Sequence, residues 1–555
     1  MANNINYIKF KKSRDSVFRA INDPLLIDKI KFPRFKKFNW ALDWFDQISK
    51  DNNNIGLLVV DRNLTTSYTF EYLSLSSSQI ANWLVRLGIN KGTVVVVHLD
   101  NNIELFQIFI ALIKIGTVIV PISTKLSNKE IDFRIKKCDS KYVITKNKYN
   151  FKEFNFSLAL TIVNIDHKFK ENYSKENIMY HAKTTLSTDL CFAYFTSGTT
   201  SKPKLVLHSH QSYAVGHLSS LLWNGLQKND VHLNISSPGW AKHAWSSFFV
   251  PWNAEATNVV ISDTNILDNQ EILNIVCINK INTLCAPPTF WRKLVCQKLV
   301  SNLPSSLKQI VSAGEPLESK IIIKIQKEIN LVLRNGYGQT EATAIIGQLP
   351  NSKLKLGSIG KPLPGYKIKI VNEHNHEVKS GELCIDLSNN PIGLMAGYKD
   401  FQYENKDNLY HTGDMCEIDS DGNIFLKGRN DFIFKAFDYK VSPYELEDII
   451  NTITGVESAV IVPSTDDVGN TLPRAYVTTV SNNYKELSKN IIIQTNLVFS
   501  KRFALKDVII CKYIPQTVTG KIDRKKLLDF SLNPQTFDGF IFMQANSLSS
   551  TKLNL

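Results

Sequence analysis

Residues 195–210 bring together side chains that suit the binding of phosphate. They read FTSGTTSKPKLVLHSH. Hydroxyl groups, a glycine without a Cβ atom and ammonium groups together offer donors and positive charge to phosphate oxygens. The residues that would supply them are Thr196, Ser197, Gly198, Thr199, Thr200, Ser201, Lys202 and Lys204. The order differs from the GxxxxGKS/T pattern of P-loop NTPases, so that fold is not implied. Taken alone, an ordinary solvated hairpin turn would contain the same residue types.

Four further stretches downstream are rich in polar residues and glycine. They are SAGEPL (residues 312–317), NGYGQTEA (335–342), YHTGD (410–414) with FLKGRND (425–431), and PQTVTGKIDR (515–524). With these motifs the chain resembles the adenylate-forming superfamily, and most of all its short- and medium-chain acyl-CoA synthetases. The superfamily also contains firefly luciferase and the adenylation domains of nonribosomal peptide synthesis. The resemblance runs from about Tyr68 to Leu528, and five motifs in the family's order make it specific.

The resemblance implies that the protein activates a carboxylic acid with ATP. In the family, the carboxylate attacks the α-phosphorus of ATP to give acyl-AMP and pyrophosphate, and most members then pass the acyl group to a thiol. The loop at 196–204 would hold the β- and γ-phosphates. The implied cofactors are therefore ATP, Mg²⁺ and CoA, and the implied substrate is a small-molecule carboxylic acid.

The NGYGQTEA motif would bind the nucleotide on the same resemblance. Tyr337 would stack on adenine, with Gly338 and Gln339 beside it in the site. Thr340 would bond the α-phosphate, and Glu341 would hold Mg²⁺ as a hard oxygen ligand. Thr340 and Glu341 are thus expected to act in catalysis.

Two other motifs would complete the nucleotide site. Gly314, Glu315 and Pro316 would line the adenine pocket. Asp414 would accept both ribose hydroxyls, and Arg429 would lie beside them.

Lys521 is the residue expected to matter most for rate. Negative charge gathers on the phosphoryl oxygens as carboxylate and pyrophosphate exchange, so an ammonium group held there lowers the barrier. The alternative is a lysine in an ordinary Gly-Lys surface turn. Asp431 matches the family's hinge between the large and small domains, about which the small domain would swing after adenylation.

The acyl pocket is predicted around Gly338 and the stretch SSPGWAKHAWSSFF (236–249). Acetyl-CoA synthetases of the family carry tryptophan at the place of Gly338, so its absence predicts room for a longer or aromatic tail. At helical spacing Trp240, His243 and Ala244 share one stripe, which we assign to the pocket. Trp245, Phe248 and Phe249 share a second stripe, which we assign to the core. The segment offers no acidic residue to pair with an amino group, which counts against an amino-acid substrate.

The lining of the CoA passage departs from the family pattern. A glycine-tyrosine-arginine run is usual there, and this chain has Asp438, Tyr439 and Lys440. Aspartate tolerates left-handed backbone angles, but its carboxylate beside the passage counts against entry of CoA. Ser201 replaces a common glycine, and Phe432 replaces an acidic residue after the hinge. An enzyme that loads an acyl or aryl acid onto a carrier protein therefore remains an alternative.

Composition places the chain among globular proteins of more than one domain. It has 555 residues, and 43% of them are hydrophobic. A chain of this length exceeds what a single hydrophobic core usually organises. The net charge of +14 admits a protein that binds nucleic acid or a membrane surface, but the lysines are interleaved with 51 acidic residues, which favours a solvated surface and no nucleic-acid partner.

Eight cysteines without a CxxC pair are expected to be reduced core thiols. No transmembrane run or secretory signal is recognisable, which favours the cytoplasm. The sequence does not settle the oligomeric state, with a monomer and a homodimer both open.

Alternating helices and apolar strands predict an α/β fold. A helix closing on Gly88, the strand TVVVVHL, an apolar helix at 102–115 and the strand TVIVPI follow one another. We expect a large amino-terminal domain at 1–430, with mixed sheets and flanking helices. A small, mobile α+β domain should follow at 431–530, and Ser442, Pro443 and Glu445 predict a capping box at its first helix. Residues 531–555 remain an unassigned tail.

Overall fold

The computed structural model describes residues 2–61, 64–146, 160–196, 203–262, 267–400, 406–436, 439–465, 471–498, 505–517, 521–531 and 533–545. The chain divides into two compact units. The first unit consists of Met1–Gly314, Lys324–Ile368 and Asp386–Leu409. The second unit consists of Glu315–Ile323, Lys369–Ile385 and Tyr410–Leu555.

Helices occur along the whole chain. They are α1 (Ala2–Asn22), α2 (Asp46–Ser49), α3 (Phe70–Arg86), α4 (Ile103–Ile115), α5 (Asn128–Cys138), α6 (Phe169–Ser174), α7 (His210–Ala214), α8 (His217–Asn224), α9 (Ala241–His243), α10 (Phe249–Asn253), α11 (Asn269–Ile278), α12 (Pro288–Cys296), α13 (Ser319–Ile329), α14 (Pro443–Thr452), α15 (Tyr484–Val498) and α16 (Arg524–Asp529). A π-helical turn at Ala244–Phe248 joins α9 to α10, so 241–253 is one continuous helical segment.

Strands alternate with these helices. They are β1 (Ile55–Asp61), β2 (Leu64–Thr69), β3 (Val94–His98), β4 (Val118–Pro121), β5 (Tyr142–Thr145), β6 (Thr161–Asn164), β7 (Leu190–Thr196), β8 (Lys204–Ser209), β9 (Val231–Asn234), β10 (Thr257–Ile261), β11 (Thr283–Cys285), β12 (Gln309–Ala313), β13 (Leu333–Gly338), β14 (Ala344–Gly347), β15 (Lys361–Pro362), β16 (Ile368–Val371), β17 (Ser380–Asp386), β18 (Gly397–Tyr398), β19 (Leu409–Ile418), β20 (Ile424–Arg429), β21 (Phe434–Ala436), β22 (Tyr439–Val441), β23 (Val456–Thr465), β24 (Thr471–Thr479), β25 (Asp507–Cys511) and β26 (Phe540–Ala545).

The first unit contains two mixed sheets. One has the order β15-β14-β13-β12-β11-β9-β10-β1-β2, and the other has the order β18-β8-β7-β4-β3-β5-β6. Their central strands run parallel, while antiparallel pairs such as β13–β14 and β7–β8 lie toward the edges. Parallel strands need helical crossovers that bury both faces of the sheet, which explains their apolar sequences. The predicted α/β class with mixed sheets is confirmed.

Local capping sets the limits of the two helices predicted from periodicity. Thr69 accepts a hydrogen bond from the Tyr72 N–H (3.1 Å) at the start of α3, and Asn102 accepts one from the Leu105 N–H (3.0 Å) at the start of α4. Gly116 ends α4 with a left-handed φ of +83°. Every residue of α4 from 105 to 115 is buried.

The amino-terminal helix α1 joins the core of the first unit, although the family resemblance begins only at Tyr68. Phe10 and Val17 of α1 are fully buried in that core. Arg14 is buried too, and it pairs with Glu255 at 2.8 Å. This helix therefore contributes both apolar packing and a buried ion pair.

The second unit contains two four-stranded sheets and one hairpin. The sheets have the orders β16-β17-β19-β20 and β23-β24-β25-β26, and β21 pairs with β22. Two apolar clusters drawn wholly from residues 434–542 form cores of their own. The predicted small domain at 431–530 thus has its own apolar packing, and the precise boundary at 431 stays a prediction.

Part of the predicted tail belongs to the second unit. Strand β26 pairs antiparallel with β25, in a register that places Val508 opposite Gln544. Phe537 is buried in one of the unit's cores, and Phe540 and Phe542 pack against its two cores. Residues 546–555 lie outside the described residues.

Helix α14 begins as its sequence predicts, with one difference. Ser442 accepts a hydrogen bond from the Glu445 N–H (3.4 Å), and Pro443 follows as the first helical residue. The Glu445 carboxylate, expected to complete a capping box, accepts a bond from the Lys427 ammonium (3.1 Å). A cross-element ion pair has taken the place of the local contact.

The cysteines are all free thiols, but two of them are not core residues. Cys277 and Cys296 are exposed, and the other six are buried. Over the described ranges, no helix combines the length and the hydropathy needed to cross a membrane. The same ranges hold no cluster of three or more His, Cys, Asp or Glu side chains suited to a metal ion.

Candidate active site

A β-hairpin holds the two ends of the predicted phosphate loop. Strands β7 and β8 pair antiparallel, and Thr196 lies directly opposite Lys204 at the last position of the ladder. The loop residues Ser197, Gly198, Thr199 and Thr200 lie outside the described residues.

Strand β8 also holds the backbone of the NGYGQTEA motif. His208 is fully buried, and its Nε2 lies 2.7 Å from the carbonyl oxygen of Thr340. Burial lowers the pKa of His208 to about 4, so the ring is neutral and donates through Nε2–H to that carbonyl. Thr340 is thereby fixed beside the strand that ends the phosphate loop.

Glu341 is held by a short strand on the other side of β8. Strand β18 pairs with β8, which places Tyr398 opposite Val206. The Tyr398 hydroxyl donates to the Glu341 carboxylate at 2.9 Å, and the Met395 N–H donates to the Glu341 carbonyl at 2.8 Å. The structure therefore brings Thr196, Lys204, Thr340 and Glu341 together around one strand.

The surroundings of Glu341 fit a Mg²⁺ ion that is bound mainly through substrate. Its half-buried carboxylate offers the hard anionic oxygen that Mg²⁺ prefers. Mg²⁺ commonly uses one or two carboxylates together with substrate phosphates, so a lone protein carboxylate beside a phosphate loop is the expected arrangement.

Two parallel strands carry the predicted adenine-binding residues of the first unit. Ala313 of β12 lies opposite Gly336 of β13, so the next residues, Gly314 and Tyr337, lie side by side at the carboxyl ends of these two strands. Gly314 has a left-handed φ of +105°, which favours glycine. The carboxyl ends of parallel strands are where open α/β sheets bind ligands.

The remaining residues of this motif follow the end of β13. Gln339 accepts a backbone bond from the Ala342 N–H at 3.2 Å, which forms a turn through Thr340 and Glu341. Glu315 and Pro316, predicted to line the same pocket, are half-buried residues of the second unit.

The space beside Gly338 is occupied by Trp245. A Cβ atom on Gly338 would lie 2.2 Å from Cη2 of the Trp245 indole. The sequence predicts open space here because the family's tryptophan is missing from this position. The structure differs, because an indole from the helical segment 241–253 lies in contact with Gly338. Trp245 belongs to the core, as predicted, and it also borders the site.

Other residues of this segment reach the adenine-binding strands. The Lys242 ammonium donates to the carbonyl oxygen of Ala313 at 3.1 Å, and the His243 N–H donates to the carbonyl oxygen of Trp240 at 3.0 Å. Trp240 is half-buried, while His243 is fully buried. The turn at 240–245 thus contacts both the end of β12 and Gly338.

A chain of hydrogen bonds fixes the ring of His243. The Asn101 amide nitrogen donates to the carbonyl oxygen of Ser236 (3.1 Å), and the Asn101 amide oxygen lies 2.8 Å from His243 Nε2. Burial lowers the pKa of His243 to about 3, so the imidazole is neutral. Since the Asn101 oxygen is an acceptor, Nε2 carries the proton and Nδ1 carries a lone pair.

The second unit contains the predicted ribose-binding pair. Asp414 and Arg429 are direct cross-strand neighbours on β19 and β20, with Nη1 and Oδ2 3.4 Å apart. Arg429 also donates to the carbonyl oxygen of Thr412 at 3.1 Å. Glu382, which the sequence motifs do not include, accepts from the Gly413 N–H (2.9 Å) and so anchors the turn that precedes Asp414.

The predicted hinge and catalytic lysine lie elsewhere in the second unit. Asp431 lies in a 3₁₀ turn at Asn430–Phe432, and its carboxylate is 3.5 Å from Arg429 Nη2. Lys521 is exposed, and its carbonyl oxygen accepts a hydrogen bond from the Thr517 N–H at 2.7 Å. Asp438 lies outside the described residues, and Tyr439 and Lys440 begin strand β22.

Sequence reasoning missed the residues that support the site from outside the motifs. Tyr398, His208 and Asn101 each bond a site residue from a distant part of the chain. Their sequence signals are weak, because a hydrogen bond across more than 50 residues leaves no local pattern. The glycine at 397, just before Tyr398, is the sole hint of an irregular strand there.

Comparison with known proteins identifies the family of the chain. The AMP-binding enzyme family matches residues 50–399. The chain is 33% identical over 510 residues to 4-hydroxybutyrate–CoA ligase 1 of Metallosphaera sedula, which covers 89% of this chain and 90% of that protein. It is 29% identical over 541 residues to the mitochondrial acyl-coenzyme A synthetase ACSM3 of Rattus norvegicus, covering 90% and 91%.

Solved structures share the fold. The anthranilate–CoA ligase AuaEII in complex with anthranoyl-AMP has a TM-score of 0.82 at 22% identity, covering 90% of this chain and 98% of that chain. ATP-bound MatB of Rhodopseudomonas palustris has a TM-score of 0.79 at 17% identity, covering 88% and 98%. The chain therefore belongs to the AMP-binding enzyme family, and within it to the AMP-forming acid–CoA ligases, which use ATP, Mg²⁺ and CoA.

Proposed function

We propose that this acid–CoA ligase acts on a short carboxylic acid. The observation that carries the proposal is the contact between Trp245 and Gly338, because the indole takes the space into which a longer tail would extend. Each buried methylene contributes about 0.8 kcal/mol to binding, so a closed pocket forfeits that gain for long tails. The relative at 33% identity is named for a four-carbon acid, which supports the same size.

In the first half-reaction, a carboxylate oxygen of the acid attacks the α-phosphorus of ATP, and the bond to pyrophosphate breaks. Thr340 would bond the α-phosphate, while Thr196, Lys204 and the loop between them would hold the departing phosphates. Glu341 would hold a Mg²⁺ ion, which would neutralise negative charge on the phosphate oxygens. Lys521 would stabilise the charge that develops as the bonds exchange.

In the second half-reaction, the thiol sulfur of CoA attacks the acyl carbonyl carbon, AMP leaves, and the thiol proton passes to solvent or phosphate. We place Asp438, Tyr439 and Lys440 at the thiol passage and Asp431 at the hinge. Trp240, His243 and Gly338 would border the acyl tail. Tyr337, Gln339, Gly314, Glu315 and Pro316 would hold adenine, and Asp414 and Arg429 would hold ribose.

A panel of straight-chain acids tests the proposal. Purified protein with ATP, Mg²⁺ and CoA should form AMP and a thioester fastest with acids of about three to five carbons. Greatest activity with acids of eight or ten carbons would contradict the assignment of a short acid. AMP release without thioester, together with transfer to a pantetheinylated carrier protein, would instead support the carrier-loading alternative.

We also propose that the protein works in the cytoplasm and without a nucleic-acid partner. The proposal rests on the dispersed lysines and on substrates that are small and water-soluble. Cell fractionation followed by immunoblotting tests the location, and a filter-binding assay with DNA and RNA at physiological salt tests the second part.

A further inference from the structure

We infer that helix α1, together with the segment 31–37 beside it, forms a surface that docks on an anionic lipid bilayer. The inference does not depend on which acid the enzyme activates, and the binding would be peripheral and reversible. Both segments lie outside residues 50–399, the part of the chain that matches the AMP-binding enzyme family. The motifs assigned to ATP and to the acid therefore do not account for the charge of these segments.

Positive charge is concentrated in this part of the chain. The first 40 residues contain ten basic and three acidic residues, which gives a local net charge of +7. The net charge of all 555 residues is +14, so half of it lies in these 40 residues. A solvated surface interleaves both signs of charge, whereas a one-sided excess is typical of a segment that binds a polyanion.

Two hydrogen bonds hold the segment 31–37 against α1. The Asn6 amide donates to the carbonyl oxygen of Lys37 at 3.0 Å, and the Ser13 hydroxyl donates to the carbonyl oxygen of Lys31 at 2.9 Å. The segment therefore runs antiparallel to the helix, and positions 9 and 12 of the helix lie between the two bonds. The resulting basic surface consists of five exposed lysines: Lys9, Lys12, Lys31, Lys36 and Lys37.

The lysines of the basic surface are not neutralised by the protein. Within the described ranges, none of the five forms an ion pair. Asp15, the acidic residue of α1, is bonded to Arg14 at 2.7 Å, and Lys228 in the same unit is paired with Glu255 at 2.7 Å. Like charges that are held close together repel one another, and an anionic surface relieves that repulsion.

Exposed isoleucines beside these lysines favour a bilayer over another polyanion. Ile5 and Ile8 are each 55% exposed, and with Lys12 they follow one stripe of α1 at helical spacing. In a bilayer, isoleucine enters the boundary between headgroups and acyl chains, while lysine reaches the lipid phosphates. A nucleic acid offers phosphates to the lysines but leaves the isoleucines in water.

The opposite face of α1 is fixed in the core of the first unit. Phe10 and Val17 are fully buried there, and Arg14 is buried with them. The helix therefore presents its stripe without having to fold on contact, which lowers the entropic cost of docking.

Sedimentation of the intact protein with lipid vesicles tests the inference. Wild type should bind vesicles of phosphatidylcholine with about 30% phosphatidylglycerol at least ~10-fold more tightly than vesicles of phosphatidylcholine alone. Raising NaCl from about 0.1 M to about 0.5 M should release most of the bound protein, because salt screens the attraction.

Two sets of variants separate the charged contribution from the apolar one. The triple variant Lys9→Glu, Lys12→Glu and Lys36→Glu should lower binding to anionic vesicles by at least ~100-fold. The double variant Ile5→Ser and Ile8→Ser should lower binding by at least ~10-fold, because it removes apolar surface, and should keep the dependence on salt.

Matched controls change exposed residues on other helices of the first unit. The triple variant Lys129→Glu, Lys170→Glu and Lys293→Glu alters the net charge equally, and Ile278→Ser removes an isoleucine that is 76% exposed. Both controls should change binding by less than ~3-fold, because they leave the basic surface intact. Melting temperature and acid-dependent pyrophosphate exchange in solution should stay at the wild-type level in all four variants.

Each other result would overturn the inference. Wild type that does not sediment with anionic vesicles, or binds both kinds of vesicle equally, would do so, as would equal losses in the control variants. Full binding by the isoleucine double variant would remove the argument for a bilayer. Binding of a DNA duplex that depends on Lys9, Lys12 and Lys36, without binding of vesicles, would assign the surface to nucleic acid. Pyrophosphate exchange in solution is measured separately, so none of these results would refute the proposed function.

Discussion

The hydroxyl of Tyr398 donates a 2.9 Å hydrogen bond to the carboxylate of Glu341. The Lys204 ammonium lies 5.4 Å from the centroid of the same tyrosine ring. One side chain on the short strand β18 thus contacts both the proposed Mg²⁺ ligand and a lysine of the phosphate loop. Residues that orient a metal ligand commonly affect metal affinity without touching the ion.

Tyr398→Phe should therefore raise the Mg²⁺ concentration needed for half-maximal pyrophosphate exchange by roughly 10-fold. The phenyl ring keeps the contact with Lys204 and loses only the hydroxyl. Tyr142→Phe, in a half-buried tyrosine of β5, is the matched control. Direct titration with Mn²⁺ and ATP, followed by electron paramagnetic resonance, provides a readout independent of turnover. An unchanged metal requirement would mean that the hydrogen bond does not orient Glu341.

Trp245→Ala should shift the preference of the enzyme toward longer acids. The substitution opens the space beside Gly338 at a cost of about 3 kcal/mol in the free energy of unfolding. A chain-length panel should move its optimum by two or more carbons. Trp83→Leu removes a buried indole that packs on Phe169, and it should destabilise the protein without changing the optimum. An unmoved optimum in Trp245→Ala would place the acyl tail elsewhere.

Gly338→Trp is expected to disrupt packing, since even a Cβ atom at this position meets the Trp245 ring. The family pattern by itself predicts that this substitution shifts the substrate preference toward acetate or propionate. The structure indicates that such a shift requires removal of the competing indole and movement of the Thr343 carbonyl oxygen, which a Cβ atom at this position would approach to 2.5 Å. The double variant Gly338→Trp with Trp245→Ala should therefore favour acetate, and measured melting temperatures should show that it is more stable than Gly338→Trp alone.

Lys521→Ala should lower the rate of adenylation by about 10²-fold or more and leave ATP binding nearly unchanged. An ammonium group that acts on developing charge contributes to the transition state and little to the ground state. Acid-dependent pyrophosphate exchange measures the step, and equilibrium dialysis measures binding. Lys525→Ala, in an exposed lysine of α16, is the control. Normal exchange in Lys521→Ala would refute the assigned role.

Acidification below pH 6.5 should destabilise the first unit steeply. Burial lowers the pKa of His98, His208, His210 and His232 to about 4 and that of His243 to about 3, and it also lowers the pKa of His217 well below its usual value. These pKa values rise to about 6.5 on unfolding, so the unfolded chain binds more protons between these limits. Stability is therefore full above pH 6.5 and falls as pH decreases, by up to ~1.4 kcal/mol per pH unit for each histidine.

Calorimetry at pH 5.5 in buffers of different ionisation enthalpy should detect the proton uptake on unfolding. The His243→Phe variant should take up about one proton fewer than wild type. Melting temperatures that do not change between pH 7.5 and 5.5 would contradict the buried, neutral state of these histidines.

Elements with strong local signals were predictable from sequence. Asn102 and Gly116 mark the ends of α4 by their own chemistry, and the two apolar runs at β7 and β8 pair antiparallel with Thr196 opposite Lys204. The order of the motifs predicted the family, which the match to the AMP-binding enzyme family over residues 50–399 confirms. These features depend on neighbours within a few residues, where sequence patterns are informative.

The remaining features depend on contacts between distant segments. No residue near Gly338 in the sequence indicates that the Trp245 indole lies against it. Strand β26 forms because β25 offers a free edge, and Glu445 turns to Lys427 because β20 lies beside α14. Tertiary packing determines these contacts, because it overrides the conformational preferences of the local sequence.

The sheet of β16, β17, β19 and β20 joins residues from separate stretches of the chain. A recombinant fragment that starts at Tyr410 would keep β19 and β20 but lose β17, the partner of β19, together with β16. The bare edge of β19 would then be open to pairing with other molecules, and such a fragment should aggregate. A fragment spanning 431–545 carries two complete apolar cores and no orphaned half-sheet, so it is the better choice for isotope-labelled spectroscopy.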